Sequence, residues 1–355
     1  MDETKITTTR RAVLKGLGLG AAGLLAPAMP VFIGTVQAAD GTVLTVASYG
    51  GAYQEAQARA MFDRLPKVYP GLTVRQDSPS SDAKIIAMAE SGHVTWDIVA
   101  VGDNFGHEAQ AQWLEPIDYT IIDRDVFLPG YAGDYRLGAD VEGTVIAYRT
   151  DKFSGKVPET FADFFDTKTF PGKRAVWKYA SGGIFEAALI ADGVAPDQLY
   201  PIDVERALKK LDTIRDDLIW WETGSQSEQF LTSGEAAMGL VWVGRAVQAA
   251  KSAPVAIGWG QWTTQSAYWV VPKGVPDKKA AMEALKVFTS APAQAEFANL
   301  MPYGPTNKDA VALIDSPFKG NLPTDHLATR VVVDYVWWSK NEAAVNERFQ
   351  EWLLM

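Results

Sequence analysis

Two stretches of this chain alternate short apolar runs with segments of helical period, and that alternation narrows the fold more than any other feature. Val43-Leu44-Thr45-Val46-Ala47 is a β-branched run that predicts a strand, Ser48-Tyr49-Gly50-Gly51 a turn, and 52–65 a helix stopped before Pro66. Residues 72–74 predict a second strand, 82–90 a second helix and 96–100 a third strand. The middle of the chain repeats the scheme, with strands at 174–177, 218–221 and 237–242 and helices at 182–191, 204–213 and 227–233. Strand, helix, strand in this order builds a parallel sheet covered by helices. Such sheets take ligands beyond the carboxyl ends of their strands, which singles out the loops 48–53, 77–82 and 102–105. Two further strands, 143–148 and 267–271, are expected to run between the two blocks. The expected fold class is α/β: two lobes, each a mixed sheet flanked by helices, with a ligand cleft between them.

The first forty residues are of another kind. Thr9-Arg10-Arg11-Ala12-Val13-Leu14-Lys15 follows the twin-arginine export pattern, with Val13 where phenylalanine is usual. The run 16–36 is rich in Gly and Ala and interrupted by Pro27 and Pro30. A membrane span needs roughly twenty strongly apolar residues, so this run predicts export rather than anchoring. Val36-Gln37-Ala38 suits a signal peptidase, and 1–38 is expected to be a signal peptide. Gly18-Leu19-Gly20-Ala21-Ala22-Gly23 spells the dinucleotide fingerprint, but no strand feeds it, so no dinucleotide site is expected there.

Removing 38 of the 355 residues leaves 317, enough for two domains. There is no cysteine, hence no disulfide, no thiolate metal ligand and no lipid-anchored cysteine. An unanchored exported chain is expected in a Gram-negative periplasm, as a monomer. Cleavage would take Lys5, Arg10, Arg11 and Lys15 with Asp2 and Glu3, moving the net charge from −10 to −12. Such a surface repels nucleic acid.

Ordered sequence signatures run along the rest of the chain. Thr45–Tyr53 reads TVASYGGAY; Trp96-Asp97-Ile98-Val99 is followed by Trp113-Leu114-Glu115-Pro116-Ile117-Asp118. Gly143-Thr144-Val145-Ile146-Ala147-Tyr148 precedes Pro158-Glu159-Thr160-Phe161-Ala162-Asp163-Phe164. Then come Ser233-Gly234-Glu235-Ala236-Ala237-Met238-Gly239, Val270-Val271-Pro272-Lys273-Gly274-Val275-Pro276 and Tyr303-Gly304-Pro305-Thr306-Asn307. In this order they resemble family 1 extracellular solute-binding proteins, the group that contains the spermidine/putrescine receptors. The resemblance implies a type II periplasmic-binding fold, with 40–146 and 268–303 in one lobe and 149–264 and 307–355 in the other. It implies strand crossings near Tyr148, Gln265 and Gly304, hinge closure over a small organic solute, and delivery to an ABC permease. No cofactor and no metal are expected.

Enzymatic readings lack their parts. The histidines are His93, His107 and His326, none in a metal-binding spacing, and neither a nucleophile elbow nor a phosphate-binding loop occurs. Tryptophan is abundant instead, at twelve, with twelve tyrosines. Trp113, Trp337 and Trp338 are expected to be packing residues. Tyr49, Tyr53, Trp177, Tyr179, Trp242, Trp262 and Tyr268 fall at expected cleft loops, where aromatic faces can hold aliphatic chains and ammonium groups.

Against the polyamine pattern, the acids expected at Gln265-Ser266-Ala267 and at Ala180-Ser181-Gly182-Gly183 are missing. Arg245 stands three residues after Trp242, where it could grip a carboxylate with its planar fork. Ser181 and Gly182, opening a helix, could add backbone amides to an anionic group. Asp103 and Glu222 are the acids expected to hold an amine. An amine-bearing carboxylate, amino-acid-like or γ-aminobutyrate-like, is therefore expected ahead of a polyamine or quaternary amine. A periplasmic enzyme on the same fold, or a scaffold that binds a partner protein, are the remaining alternatives.

Overall fold

The computed structural model describes residues 41–355. The export motif and the expected cleavage site lie outside the described residues. The first block is β1 (Thr42–Ala47), α1 (Gly51–Ala60), α2 (Leu65–Val68), β2 (Leu72–Asp77), α3 (Asp82–Ser91) and β3 (Ile98–Val101), followed by the long β4 (Leu137–Arg149). The second block is α4 (Phe161–Phe165), β5 (Arg174–Trp177), α5 (Ile184–Ala191), α6 (Val204–Asp212), β6 (Leu218–Trp221), α7 (Gly224–Ser233), β7 (Met238–Trp242) and α8 (Val243–Ala250). The chain continues through β8 (Val255–Val270), α9 (Lys278–Phe288), α10 (Ala291–Leu300), β9 (Arg330–Val331) and α11 (Tyr335–Leu353).

Both blocks obey one rule. β1 lies between β2 and β3, parallel to both, and β5 lies between β6 and β7, parallel to both. β8 and β4 join the blocks as an antiparallel pair, giving one sheet in the order β2-β1-β3-β8-β4-β7-β5-β6, with β9 added to β8. The β8–β4 ladder runs from Leu137 opposite Trp269 to Arg149 opposite Val255, with register shifts between Gly138 and Asp140 and between Thr144 and Ile146. Two hydrophobic cores result. One gathers Leu44, Ile98, Trp269 and Phe288 around the first block and continues to Trp221, Val241 and Ala246 in the second. The other gathers Phe164, Phe185, Leu208, Trp338, Phe349 and Trp352 around the second. The last three of those belong to α11, which returns to the second block and pairs Arg348 with Glu205 on α6 at 2.7 Å. The turn Lys308–Leu313 packs on α10.

Several expected boundaries move, each for a local reason. Pro66 opens α2 rather than closing α1, because a proline in the first turn forfeits no helical hydrogen bond. The helix expected from 182 starts at Ile184, since Gly183 adopts φ 90°, a left-handed conformation. The crossing strands are far longer than 143–148 and 267–271. The added half of β8, residues 255–266, mixes Gly, Gln and Trp without a period-two pattern, and that of β4, residues 137–142, alternates apolar residues with Gly, Asp and Glu. Among the described residues no helix is long and apolar enough to cross a membrane.

Candidate ligand-binding cleft

The carboxyl ends of β1, β3, β5 and β7 open on one cavity of about 1170 Å³. Its first wall carries Tyr49, Tyr53, Asp103, Glu142 and Tyr303; its second carries Trp177, Tyr179, Ser181, Trp242 and Arg245. Of the residues expected at a ligand site, Tyr49, Tyr53, Asp103, Trp177, Ser181, Trp242 and Arg245 are brought together here.

The first wall is acidic and phenolic. Asp103 follows β3, and its buried carboxylate accepts the Ser266 N–H at 2.7 Å. Burial pushes its carboxyl up to about 8, against the opposing pull of that N–H and of Arg136. Tyr53 projects from α1 and packs edge-on against Phe297 with ring centres 5.4 Å apart. Its hydroxyl donates to Asp140 on β4. Tyr49, about half exposed, tilts over Tyr53 at 5.4 Å. Burial pushes the Asp140 carboxyl up to about 7, with the Tyr53 hydroxyl, the neighbouring Glu142 carboxyl and the Ala267 N–H pulling the other way. Burial first, and then Asp140 beside it, push Glu142 well above the usual carboxylate range. Glu142 lies directly opposite Gln265, and Asp140 opposite Ala267. The acids missing from β8 are thus supplied by the strand beside it.

The second wall is a tryptophan cluster with a guanidinium at its edge. Trp177 stacks on Trp221 at 5.7 Å, and Trp242 meets both edge-on at 5.4 and 5.0 Å. Two glycines allow this close approach. A Cβ at Gly182 would lie 2.7 Å from the Trp177 ring, and one at Gly224 would lie 2.6 Å from Arg245 Nε and 3.0 Å from Trp242. Gly182 therefore serves the cleft by what it lacks; it does not itself line the cavity. α7 is fixed at its start by a capping box in which Gln226 Oε1 accepts the Thr223 N–H at 3.0 Å. Arg245 reaches Glu228 on α7 at only 3.5 Å and stays 44% exposed, a loose pair. Ser181 lines the cavity, but its hydroxyl already donates to Glu342 on α11 at 2.7 Å.

Three further expectations end elsewhere. Glu222 points to solvent and pairs with Lys178 at 2.9 Å. Trp262 is fully buried and donates to the His326 carbonyl at 3.0 Å. Tyr268 is buried against Tyr131, stacked at 5.8 Å, with the Arg136 guanidinium 3.8 Å over its ring. In strands successive side chains face opposite ways; Tyr268 shares its face with Ser266, whose hydroxyl also meets Tyr131, and turns inward with it. Conversely, Glu142 and Tyr303 line the cavity although the sequence reading passed over them. Tyr303 could have been suspected from the Tyr-Gly-Pro-Thr-Asn signature it opens. Among the described residues, no group of three or more His, Cys, Asp or Glu is arranged to hold a metal ion.

Two α/β lobes whose strand ends open on one shared cavity, walled by aromatics and by charges of both signs, define a solute-binding protein. The chain belongs to the bacterial extracellular solute-binding protein family, whose profile matches residues 60–324. It is 33% identical over 321 residues to a gamma-aminobutyric acid-binding protein of Pseudomonas aeruginosa, covering 87% of this chain and 90% of that one. The solved structure of the Atu4243 GABA receptor superposes with a TM-score of 0.80 at 39% identity, covering 88% of this chain and 97% of the other. The binding protein AgtB from A. tumefaciens R10, in complex with agropinic acid, superposes with a TM-score of 0.71 at 35% identity, covering 88% and 99%.

Proposed function

We propose that this protein is the periplasmic receptor of an ABC importer and that it captures a small amine-bearing carboxylate of the γ-aminobutyrate kind. The observation that carries this reading is the division of charge across one cavity. Asp103 and Glu142 stand on one wall and Arg245 on the other, with Tyr303 within the field of both Glu142 and Arg245. A zwitterion satisfies both walls at once. The guanidinium takes the carboxylate in a fork, exchanging its loose contact with Glu228, while Trp177, Trp242 and Tyr49 cover the carbon chain. The names of the two γ-aminobutyrate-binding relatives support the same ligand class.

In this reading the lobes divide at 40–146 with 268–303 and at 149–264 with the C-terminal segment, Lys308–Leu313 staying with the first lobe because it packs on α10. They close over the ligand by bending where β4 and β8 cross, and the closed form is what the permease receives. Export by the twin-arginine route follows from Arg10 and Arg11.

A polyamine is the second reading, favoured by the excess of acids over the single arginine among the cleft residues just named. Calorimetric titration with γ-aminobutyrate, putrescine and butyrate separates the two. The zwitterion is expected to bind tightest, and a ligand at one hundred times its Kd should stabilise the protein by about 2.7 kcal/mol. Preference for putrescine would replace the zwitterion with the polyamine.

A further inference from the structure

We infer that Glu142 is the seat of the ligand's ammonium group, and that in the empty cleft it shares one proton with Asp140 behind it, released to solvent as the ammonium docks. This rests on the reading of the ligand as an amine-bearing solute. Asp140 and Glu142 are two residues apart on β4, so both carboxyls leave the same face of the sheet. Glu142 lines the cavity, while Asp140 is 1% exposed. One Asp140 oxygen accepts the Tyr53 hydroxyl; the other, Oδ1, is buried with no donor among the described residues. Glu142 is the next side chain along that face from Asp140, and the Asp140 charge pushes the Glu142 carboxyl further up. Two ionised carboxylates offer only acceptors and cannot bond to each other. The Ala267 N–H pulls on the Asp140 carboxyl without completing a hydrogen bond to Oδ1, so what would satisfy that oxygen is a proton held between the two carboxyls or a cation brought by the ligand.

The groups around the pair sharpen the argument. Tyr49 faces it from the loop after β1, Tyr53 from the start of α1, Asp103 from the loop after β3 and Tyr303 from the segment after α10. β8 contributes the neutral Gln265, Ser266 and Ala267. Arg136 bonds to the Asp103 and Phe105 carbonyls and Arg245 to Glu228, so neither cation pairs with Asp140 or Glu142. Burying two adjacent carboxylates uncompensated is strongly unfavourable. One shared proton relieves it when the cleft is empty. A primary ammonium, with three N–H donors, relieves it when the cleft is full. The exchange balances: the monoanionic hydrogen-bonded pair plus R–NH3+ gives the dianionic pair holding R–NH3+, plus one H+ in solvent. A quaternary ammonium has no N–H to offer, so the seat selects primary amines.

The test is titration of the mature protein with γ-aminobutyrate in two buffers of different ionisation heat, alongside the infrared band of protonated carboxyl groups in the ligand-free protein. Near neutral pH, release of close to one proton per ligand is expected, with Kd rising up to about tenfold per unit of acidification. Glu142→Gln should abolish the release and weaken binding by about tenfold or more at about pH 8, whereas Glu222→Gln, outside the cavity, should keep the release. The trimethylated analogue of γ-aminobutyrate should bind at least about tenfold more weakly than the primary amine. Beyond the absorption of the buried, protonated Asp103, the ligand-free wild type should show a second carboxylic-acid band at neutral pH that Glu142→Gln loses and Asp103→Asn keeps. Release that survives Glu142→Gln, or a wild-type Kd flat across this pH range, overturns the seat. Absence of the band overturns the shared proton whether or not any ligand is found. If the band is present but γ-aminobutyrate binds at no pH, the ligand reading falls and the ammonium seat with it, while the shared proton stands on the band alone.

Discussion

The two halves of the sheet share a strand scheme and differ in what they place at the strand ends. In the first, the ends around β1 carry phenols and buried acids: Tyr49, Tyr53 and Asp103, backed by Asp140 on β4. In the second, the ends around β5 carry the indoles Trp177, Trp221 and Trp242, with Arg245 one turn into α8. The acids are desolvated and held by fixed partners, as in the 2.7 Å bond from the Ser266 amide to Asp103. The arginine is half exposed and loosely paired. One wall is thus a preorganised electrostatic socket, and the other is an apolar plate with a mobile clamp. The backbone scheme fixes where a ligand lies; the side chains at equivalent strand ends decide which end of it each half holds.

Removing the clamp should have the largest effect. Arg245→Ala is expected to weaken γ-aminobutyrate binding by at least roughly tenfold, since leaving a desolvated charge unpaired costs about 2–5 kcal/mol. Arg245→Lys should recover only part of that, for want of the fork. Calorimetry that finds Arg245→Ala equal to the wild type would remove the second wall's share of the charge division. Trp242→Ala should lose somewhat less, through packing area alone, and so should not depend on salt.

The acid wall makes a smaller, signed prediction about the ligand-free protein. Asp103 and Asp140 titrate at about 8 and about 7 when folded, against an ordinary value of 3.8. Between these values the folded state binds more protons than the unfolded one, so stability falls as pH rises. The contribution is complete below the ordinary value and is lost as pH climbs through the folded values. Tm without ligand should drop by several degrees between about pH 5 and about pH 8, and Asp103→Asn should flatten that slope. A Tm that rises across this window would show the acid wall to be ionised and well solvated. Smallest of all, Glu222→Ala should change ligand affinity and stability by no more than about 0.5 kcal/mol, because its pair with Lys178 is exposed.

The contrast between the walls also explains what the sequence could tell. The second wall was legible because Trp242 ends a continuous apolar run, Met238–Trp242, and Arg245 follows within one turn. Position at a strand end is enough to aim such residues at a cleft. The acid seat was not legible. Leu-Gly-Ala-Asp-Val-Glu reads like the solvated face of an edge strand, and only pairing with β8 and the packing of Tyr53 bury it. Trp262 and Tyr268 failed for a related reason. On a strand covered on both faces, an aromatic residue gives no sign of which side it takes. Glu222 sits directly after β6, as expected of a cleft residue. But β6 is the outermost strand of its half, and its end faces solvent rather than the opposite lobe.

The two register shifts in the β4–β8 ladder, between Gly138 and Asp140 and between Thr144 and Ile146, bracket Glu142. An irregular ladder has fewer well-aligned backbone bonds than the stretches on either side. In mechanical terms β4 is a stiff rod with two soft joints, and the charged residue sits on the short link between them. A cation docking there loads the joints directly instead of pulling on a distant rim. Amide hydrogens of that link should therefore exchange fastest along β4 in the empty protein and slow most on binding.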